Sequence, residues 1–304
     1  MEAIMRNFFQ FLARNKRVNK WAAKYGLHLG AQKFVAGLSI KQAIEQVRLL
    51  HEDGRVATLD HLGEFVKSEA EARQSAYMCL KALEAIAEAN VPSYLSVKLT
   101  SLGLDISDDL CFEQMCHILN KASEHRIFVR IDMEDYAHCQ QAIDLFKRLR
   151  KMYDGVGLVL QAYLYRTEQD LRDLGQISAN LRLVKGAYKE SPEVAFPKKV
   201  DVDKNYLKII KQHLLNGHYT AVASHDEQII HQVKEFVREK EIKRDQFEFQ
   251  MLFGIREDLQ KKLASEGYTV RVYVPYGKDW FGYYMRRLAE RPANVWFVMK
   301  NWMK

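Results

Sequence analysis

From residue 56 onward, short apolar runs alternate with segments whose apolar positions recur every three to four residues. The runs fall at 56–60 (VATLD), 94–99 (YLSVKL), 127–132 (IFVRID), 156–161 (VGLVLQ), 181–185 (LRLVK), 220–224 (TAVAS), 246–250 (QFEFQ) and 269–274 (TVRVYV). Helical spacing fills 69–89, 109–124, 136–151, 167–178, 202–216, 226–239, 256–266 and 279–290. Strict alternation of the two element types implies a parallel sheet. Eight such units over roughly 240 residues have the size of an α/β (βα)8 barrel of the TIM type. An open, doubly wound sheet is the alternative, but no GxGxxG follows any of the runs. Ahead of the alternation, residues 4–35 show an amphipathic helical pattern (Met5, Phe8, Phe9, Leu12, then Trp21, Ala22, Tyr25) interrupted at Gly26 and Gly30. Ser39 is placed to cap a helix that stops at Gly54. The expectation is an N-terminal helical segment, 1–54, packed on a catalytic barrel, 55–304, as a single domain overall.

Polar residues punctuate the pattern at the strand ends: Asp60, Lys98, Asp132, Gln161, Lys185, Gln250 and Tyr273. Barrel active sites are built from strand C-termini and the loops after them. A lysine closing an apolar strand must find an anion or lose its charge. For Lys98 the plain alternative is snorkelling to water. Asp132 can serve as its counter-charge or as the N-cap of the next helix. Arg182 and Lys185 stand beside Gly186 and Tyr188, and cations at a glycine turn suit a phosphate or an electron-rich ring. Gln161 and Gln250 can read a polar ring edge. The last such strand runs from Tyr273 through Pro275 and Gly277 into a helix on which Tyr283, Arg286 and Arg287 share a broad face, with Glu290 in reach of both arginines. Arginine recognises carboxylates in a planar, bidentate way. The plain alternative is a solvated, salt-bridged helix.

Composition narrows the function class. The chain has 304 residues, a net charge of +7 without a dense basic block, and only five prolines, so neither a nucleic-acid partner nor a linker is expected. Four cysteines (Cys79, Cys111, Cys116, Cys139) form no CxxC pair, consistent with free thiols in a reducing cytoplasm. The N-terminus does not read as a secretory signal, and no apolar run is long enough to span a bilayer. Any membrane contact is expected to be peripheral, on the inner face of the plasma membrane. Ser224, His225 and Asp226 are consecutive, so their side chains diverge and cannot form a triad. No other histidine stands at ligand spacing from His225, and no metal site is expected. A site of cations, amides and tyrosines without a nucleophile or metal points to a borrowed cofactor.

The motifs LDHLGE (59–64), SVKLTSLG (96–103), RIDMED (130–135), LQAYLYRT (160–167), RLVKGAYKE (182–190), ASHDEQ (223–228), FEFQMLFG (247–254) and YVPYG…YYMRRLAERPAN resemble, in this order, the flavin-dependent proline dehydrogenases. The likeness runs from the KFVAG segment at 33–37 to the C-terminal helix and is greatest to the small monofunctional bacterial members. It implies a distorted (βα)8 barrel, non-covalently held FAD, and a last helix lying over the strand C-termini. It also implies oxidation of L-proline to Δ1-pyrroline-5-carboxylate, a membrane quinone as electron acceptor, and a separate pyrroline-5-carboxylate dehydrogenase as a partner. By the same motifs, Arg286, Arg287 and Lys98 would hold the substrate carboxylate. Tyr273, Tyr283 and Leu252 would enclose the ring, Glu290 would orient the arginines, and Glu64 would pair with Arg286 as a gate. Asp132 would stand at the substrate, and Gln161, Arg182, Val184, Lys185, Gly186, Ala187, Ser224, His225 and Gln250 would line the flavin. Two positions depart from the family pattern. Lys189 follows Tyr188 where tryptophan is common, and Ser224-His225-Asp226 replaces threonine–histidine–asparagine. Asp226 thereby adds a negative charge where an anionic nucleotide is expected. Tyr283 leaves little room for a 4-hydroxyl, so preference for proline over hydroxyproline is expected.

Overall fold

A computed structural model describes residues 31–290, with the side chains of residues 289 and 290 left out. Eight strands close into a parallel barrel in chain order: β1 (Val56–His61), β2 (Ser93–Val97), β3 (Val129–Ile131), β4 (Val156–Gln161), β5 (Leu181–Val184), β6 (Thr220–Ala223), β7 (Phe247–Leu252) and β8 (Val270–Tyr276), which pairs back onto β1. The helices are α1 (Ile40–Glu52), α2 (Glu69–Ala89), α3 (Asp108–Glu124), α4 (Cys139–Arg150), α5 (Thr167–Gly175), α6 (Lys199–Leu215), α7 (Glu227–Glu239), α8 (Glu257–Ser265) and α9 (Trp280–Glu290). Side chains start several of them. Ser39 and Gln42 form a capping box on α1, and the Ser68 and Ser107 hydroxyls accept from the first-turn amides of α2 and α3.

The strands alternate strictly. Leu59, Leu95, Val97, Val129, Ile131, Leu158, Leu160, Leu181, Leu183, Val222, Phe249, Met251, Val270, Val272 and Val274 face outward and join one buried core with the inner faces of the helices. Apolar burial of this kind contributes roughly 25 cal/mol per Å² and closes the barrel. The intervening positions face the lumen, and they are largely polar: Thr58, Asp60, Ser96, Arg130, Asp132, Gln161, Arg182, Glu248, Gln250 and Arg271 are all buried. Buried polar groups of this number are tolerated because they bond one another. Deep in the lumen Arg271 Nε donates to both Glu248 oxygens at 2.9 and 3.1 Å, and Tyr219 donates to the same carboxylate at 2.9 Å. Arg130 donates to the carbonyls of Leu158 and Asn180 at 3.1 and 2.6 Å.

The last helix leaves the outer ring. α9 forms a second, smaller core in which Trp280, Phe281, Tyr283, Tyr284, Met285 and Leu288 pack with Phe34, Val35, Leu62 and Ile255. Leu62 follows β1 and Ile255 follows β7, so α9 lies across the strand C-termini. Gly254 (φ +69°) allows this closure, because a Cβ there would lie 1.6 Å from the carbonyl oxygen of Lys33. The helical pattern expected over 4–35 falls outside the described residues up to position 30. From there it does not continue as an α-helix. A single 3-10 turn, Ala31–Lys33, is followed by irregular chain up to α1, and Phe34 and Val35 are drawn under α9 instead of extending a helical stripe.

Candidate active site

The mouth of the barrel is organised around the Asp132 carboxylate, one residue beyond β3. Ser96 Oγ donates to Oδ1 at 2.5 Å, Tyr273 OH donates to Oδ2 at 2.6 Å, and Arg182 forms an ion pair with Oδ1. These partners come from β2, β8 and β5 and meet only through the lumen. Burial alone would raise the Asp132 pKa, but Arg182, Lys98 and the two hydroxyl donors outweigh it and hold the group below its ordinary value. Asp132 caps no helix. The Tyr273 hydroxyl is driven well above its ordinary value by burial and by Asp132 and Asp60, so it remains a donor.

Lys98 Nζ donates to both oxygens of Asp60 at 2.8 Å and lies 3.7 Å from Asp132 and 3.4 Å from the Tyr273 hydroxyl. Burial disfavours its charge, yet Asp60, Asp132 and Glu64 together hold its pKa above the ordinary lysine value. Lys98 is therefore a buried ammonium and does not snorkel. Asp60 was legible only as one polar strand end among several. The register of β1 on β2, which sets Asp60 opposite Ser96, turns it into the counter-charge of Lys98.

α9 roofs this group. Arg286 donates to Glu64, on the loop after β1, at 2.7 and 3.1 Å. The Arg287 guanidinium lies 5.0 Å from the Tyr283 ring centroid, and both residues are buried. Leu252, the last residue of β7, packs against the same core. The side chain of Glu290 lies outside the described ones.

The opposite side of the mouth is formed by the ends of β4 to β7. Gln161 Nε2 donates to the backbone oxygen of Glu134 at 2.8 Å, and Gln250 bridges Glu248 at 2.5 Å and Arg182 at 3.5 Å. Val184 ends β5. Lys185 follows it and pairs with Asp203 of α6 at 2.6 Å and Asp226 at 2.9 Å. The side chains of Ser224, His225 and Asp226 do not bond one another. The Ser224 hydroxyl accepts from the Asp226 amide at 3.1 Å, His225 Nε2 accepts from the Leu252 amide at 2.9 Å, and Asp226 caps α7 through Gln228. The negative charge expected at Asp226 is thus matched by Lys185. Burial would raise the Asp226 pKa, but Lys185 and the amides of α7 hold it below the ordinary carboxylate value. Gly186 (φ +116°) brings the backbone against Tyr163, where a Cβ would lie 2.2 Å from the ring, and Ala187 is exposed beyond it.

Sequence reasoning missed Glu134, two residues past Asp132. It is 3% exposed, and Thr100 donates to it twice, from the amide at 3.1 Å and from the hydroxyl at 2.5 Å. Burial pushes its carboxyl up to about 7, with Thr100 opposing and Glu64 adding to the rise. The period-two spacing Asp132, Glu134 was the available signal.

Residues 43–300 match the family described as Proline dehydrogenase. The chain is 51% identical over 301 residues to Proline dehydrogenase 2 of Bacillus subtilis (strain 168), covering 99% of each. It is 46% identical over 279 residues to Proline dehydrogenase of Deinococcus radiodurans, covering 90% of each. Among solved structures, proline utilization A from Bdellovibrio bacteriovorus, inactivated by N-propargylglycine, superposes with a TM-score of 0.80 at 26% identity, over 86% of this chain and 32% of that one.

Proposed function

The chain belongs to the proline dehydrogenase family, and from that premise we propose that it oxidises L-proline to Δ1-pyrroline-5-carboxylate with non-covalently held FAD, passing the electrons to a quinone. The observation that carries this reading is the division of one mouth into two sets of groups that meet at Asp132. Under α9 lie Lys98, Tyr273, Tyr283, Arg286 and Arg287. On the ends of β4 to β7 lie Gln161, Arg182, Lys185 and Gln250.

The second set fits a flavin. Two amides and a guanidinium suit a polar ring edge, and an ammonium beside a glycine that no larger residue could replace suits an anionic diphosphate. We assign Gln161, Arg182, Val184, Lys185, Gly186, Ala187, Ser224, His225 and Gln250 to it. A bound diphosphate would compete with Asp203 and Asp226 for Lys185. FAD, when bound, supplies the hydride acceptor.

The first set does the positioning. Arg286, Arg287 and Lys98 hold the substrate carboxylate by charge-assisted bonds, and Tyr273, Tyr283 and Leu252 enclose the ring. Glu290 would orient the arginines. This places the ring carbon next to nitrogen for hydride loss, an orientation effect. Lys98 stays an ammonium, because its pKa is held above the ordinary value, and so acts by charge and does not take a proton. Asp132 stays ionised and keeps Arg182 and Tyr273 in place. The substrate nitrogen must be neutral to react, and a cluster of cations favours loss of its proton.

The test is the visible spectrum of the purified protein before and after anaerobic addition of L-proline. A yellow protein that bleaches supports cofactor and substrate together. A yellow protein that does not bleach removes proline, and a protein still colourless after added FAD removes the flavin.

A further inference from the structure

The loop between β1 and α2 carries Glu64, and one buried residue holds its backbone. Thr100 accepts the Phe65 amide through its hydroxyl at 3.2 Å and the Val66 amide through its carbonyl at 3.3 Å. Phe65 sits in the left-handed region (φ 54°), a conformation that L residues rarely adopt, so the turn next to Glu64 persists because its surroundings impose it. Thr100 is fully buried and is itself anchored to Glu134 by two bonds. No lysine or arginine among the described residues forms an ion pair with Glu134, so this buried carboxyl has no charge partner that would explain it as a structural ion pair.

We propose that Glu134 and Thr100 are positioning residues of the substrate clamp: through the Phe65 and Val66 amides they set the turn that presents Glu64 to Arg286. This rests on the reading of the site as the place where proline binds. The Thr100 hydroxyl accepts from Phe65 and makes a short contact with one Glu134 oxygen, while the Thr100 amide donates to the other, so the carboxyl ties Thr100 down both as a carboxylate that accepts the hydroxyl proton and as an acid that donates to the hydroxyl. Without Glu134, or without the Thr100 hydroxyl, the turn at Phe65 and Val66 loses this anchor, Glu64 no longer fixes the Arg286 fork, and carboxylate binding weakens.

Calorimetric titration of the holoenzyme with tetrahydrofuran-2-carboxylate tests this, since the probe keeps the ring and carboxylate but has no amine to titrate. Glu134→Ala is expected to bind the probe several-fold more weakly than the unaltered enzyme, and in turnover its KM for proline rises while kcat changes little. Thr100→Val should behave like Glu134→Ala, and Thr100→Ser, which keeps the hydroxyl, should restore the original affinity. Glu134→Ala with unaltered affinity overturns the proposal. If that variant does not fold, equal binding by Thr100→Val and Thr100→Ser overturns it. An unaltered enzyme that binds no probe at any pH overturns the proline reading itself, and this proposal with it.

Discussion

A buried carboxyl with a raised pKa is a cost the fold carries, and Glu134 is the clearest one at this site. Its folded value of about 7, against an ordinary 4.5, means that ionisation inside the protein is disfavoured by up to about 3 kcal/mol. The sign follows from linkage. The stability contribution is complete below pH 4.5 and is lost as pH rises from there through about 7. Glu134→Gln removes this loss. Urea denaturation at pH 4.5 and pH 8 should therefore show the variant gaining on the unaltered protein by roughly 2–3 kcal/mol between the two. Asp132 runs the other way. Its folded value is depressed, so its stabilising contribution is present at neutral pH and is lost in acid as pH falls through that value.

At the scale of elements, two pieces of chain decide what the mouth can hold. α9 brings its arginines over the strand ends, and Arg287 lies there with Tyr283 beneath α9 and not on a solvated surface. Arg287→Met is expected to weaken proline binding by about 1.5–3 kcal/mol, one to two orders of magnitude in KM. An unchanged KM would move the substrate away from this helix. The loop after β5 is the second piece. Gly186→Ala places a methyl 2.2 Å from the Tyr163 ring at a φ that alanine rarely adopts. The protein is expected to purify with markedly less flavin per chain, read as the ratio of visible to ultraviolet absorbance, while the barrel still folds. Undiminished flavin content would separate this turn from the cofactor.

The whole molecule is a barrel whose lumen is ionic and whose apolar core is the shell around it. Arg271 holds Glu248, Arg182 holds Asp132, and Lys98 holds Asp60 across strands, so single removals leave an unpaired charge and cost more than surface changes do. The net charge of +7 suits approach to an anionic surface, and no described helix is long and apolar enough to cross a membrane. A quinone acceptor resides in lipid, so the proposed electron path requires the protein to visit it. Flotation with anionic vesicles should recover the protein at low salt and lose it at high salt. Failure to float at any salt would separate the acceptor from the bilayer.

Periodicity alone reached the number, order and type of the elements, because a parallel barrel needs an outward apolar face on each strand and an inner stripe on each helix, and both repeat locally. The motifs from LDHLGE to RRLAE placed Lys98, Asp132, Arg182, Arg286 and Arg287 at strand ends or on the last helix. Local pattern could not say which carboxylate meets which cation. Asp60 with Lys98, Asp132 with Arg182 and Tyr273, and Glu64 with Arg286 are pairs set by closure and register. The same holds for Glu134, whose neighbours Thr100 and Glu64 are 34 and 70 residues away in sequence. Side-chain type and spacing are properties of the chain, but a pKa, an ion pair and a roof over a site depend on which distant residues the closed barrel brings within a few ångströms.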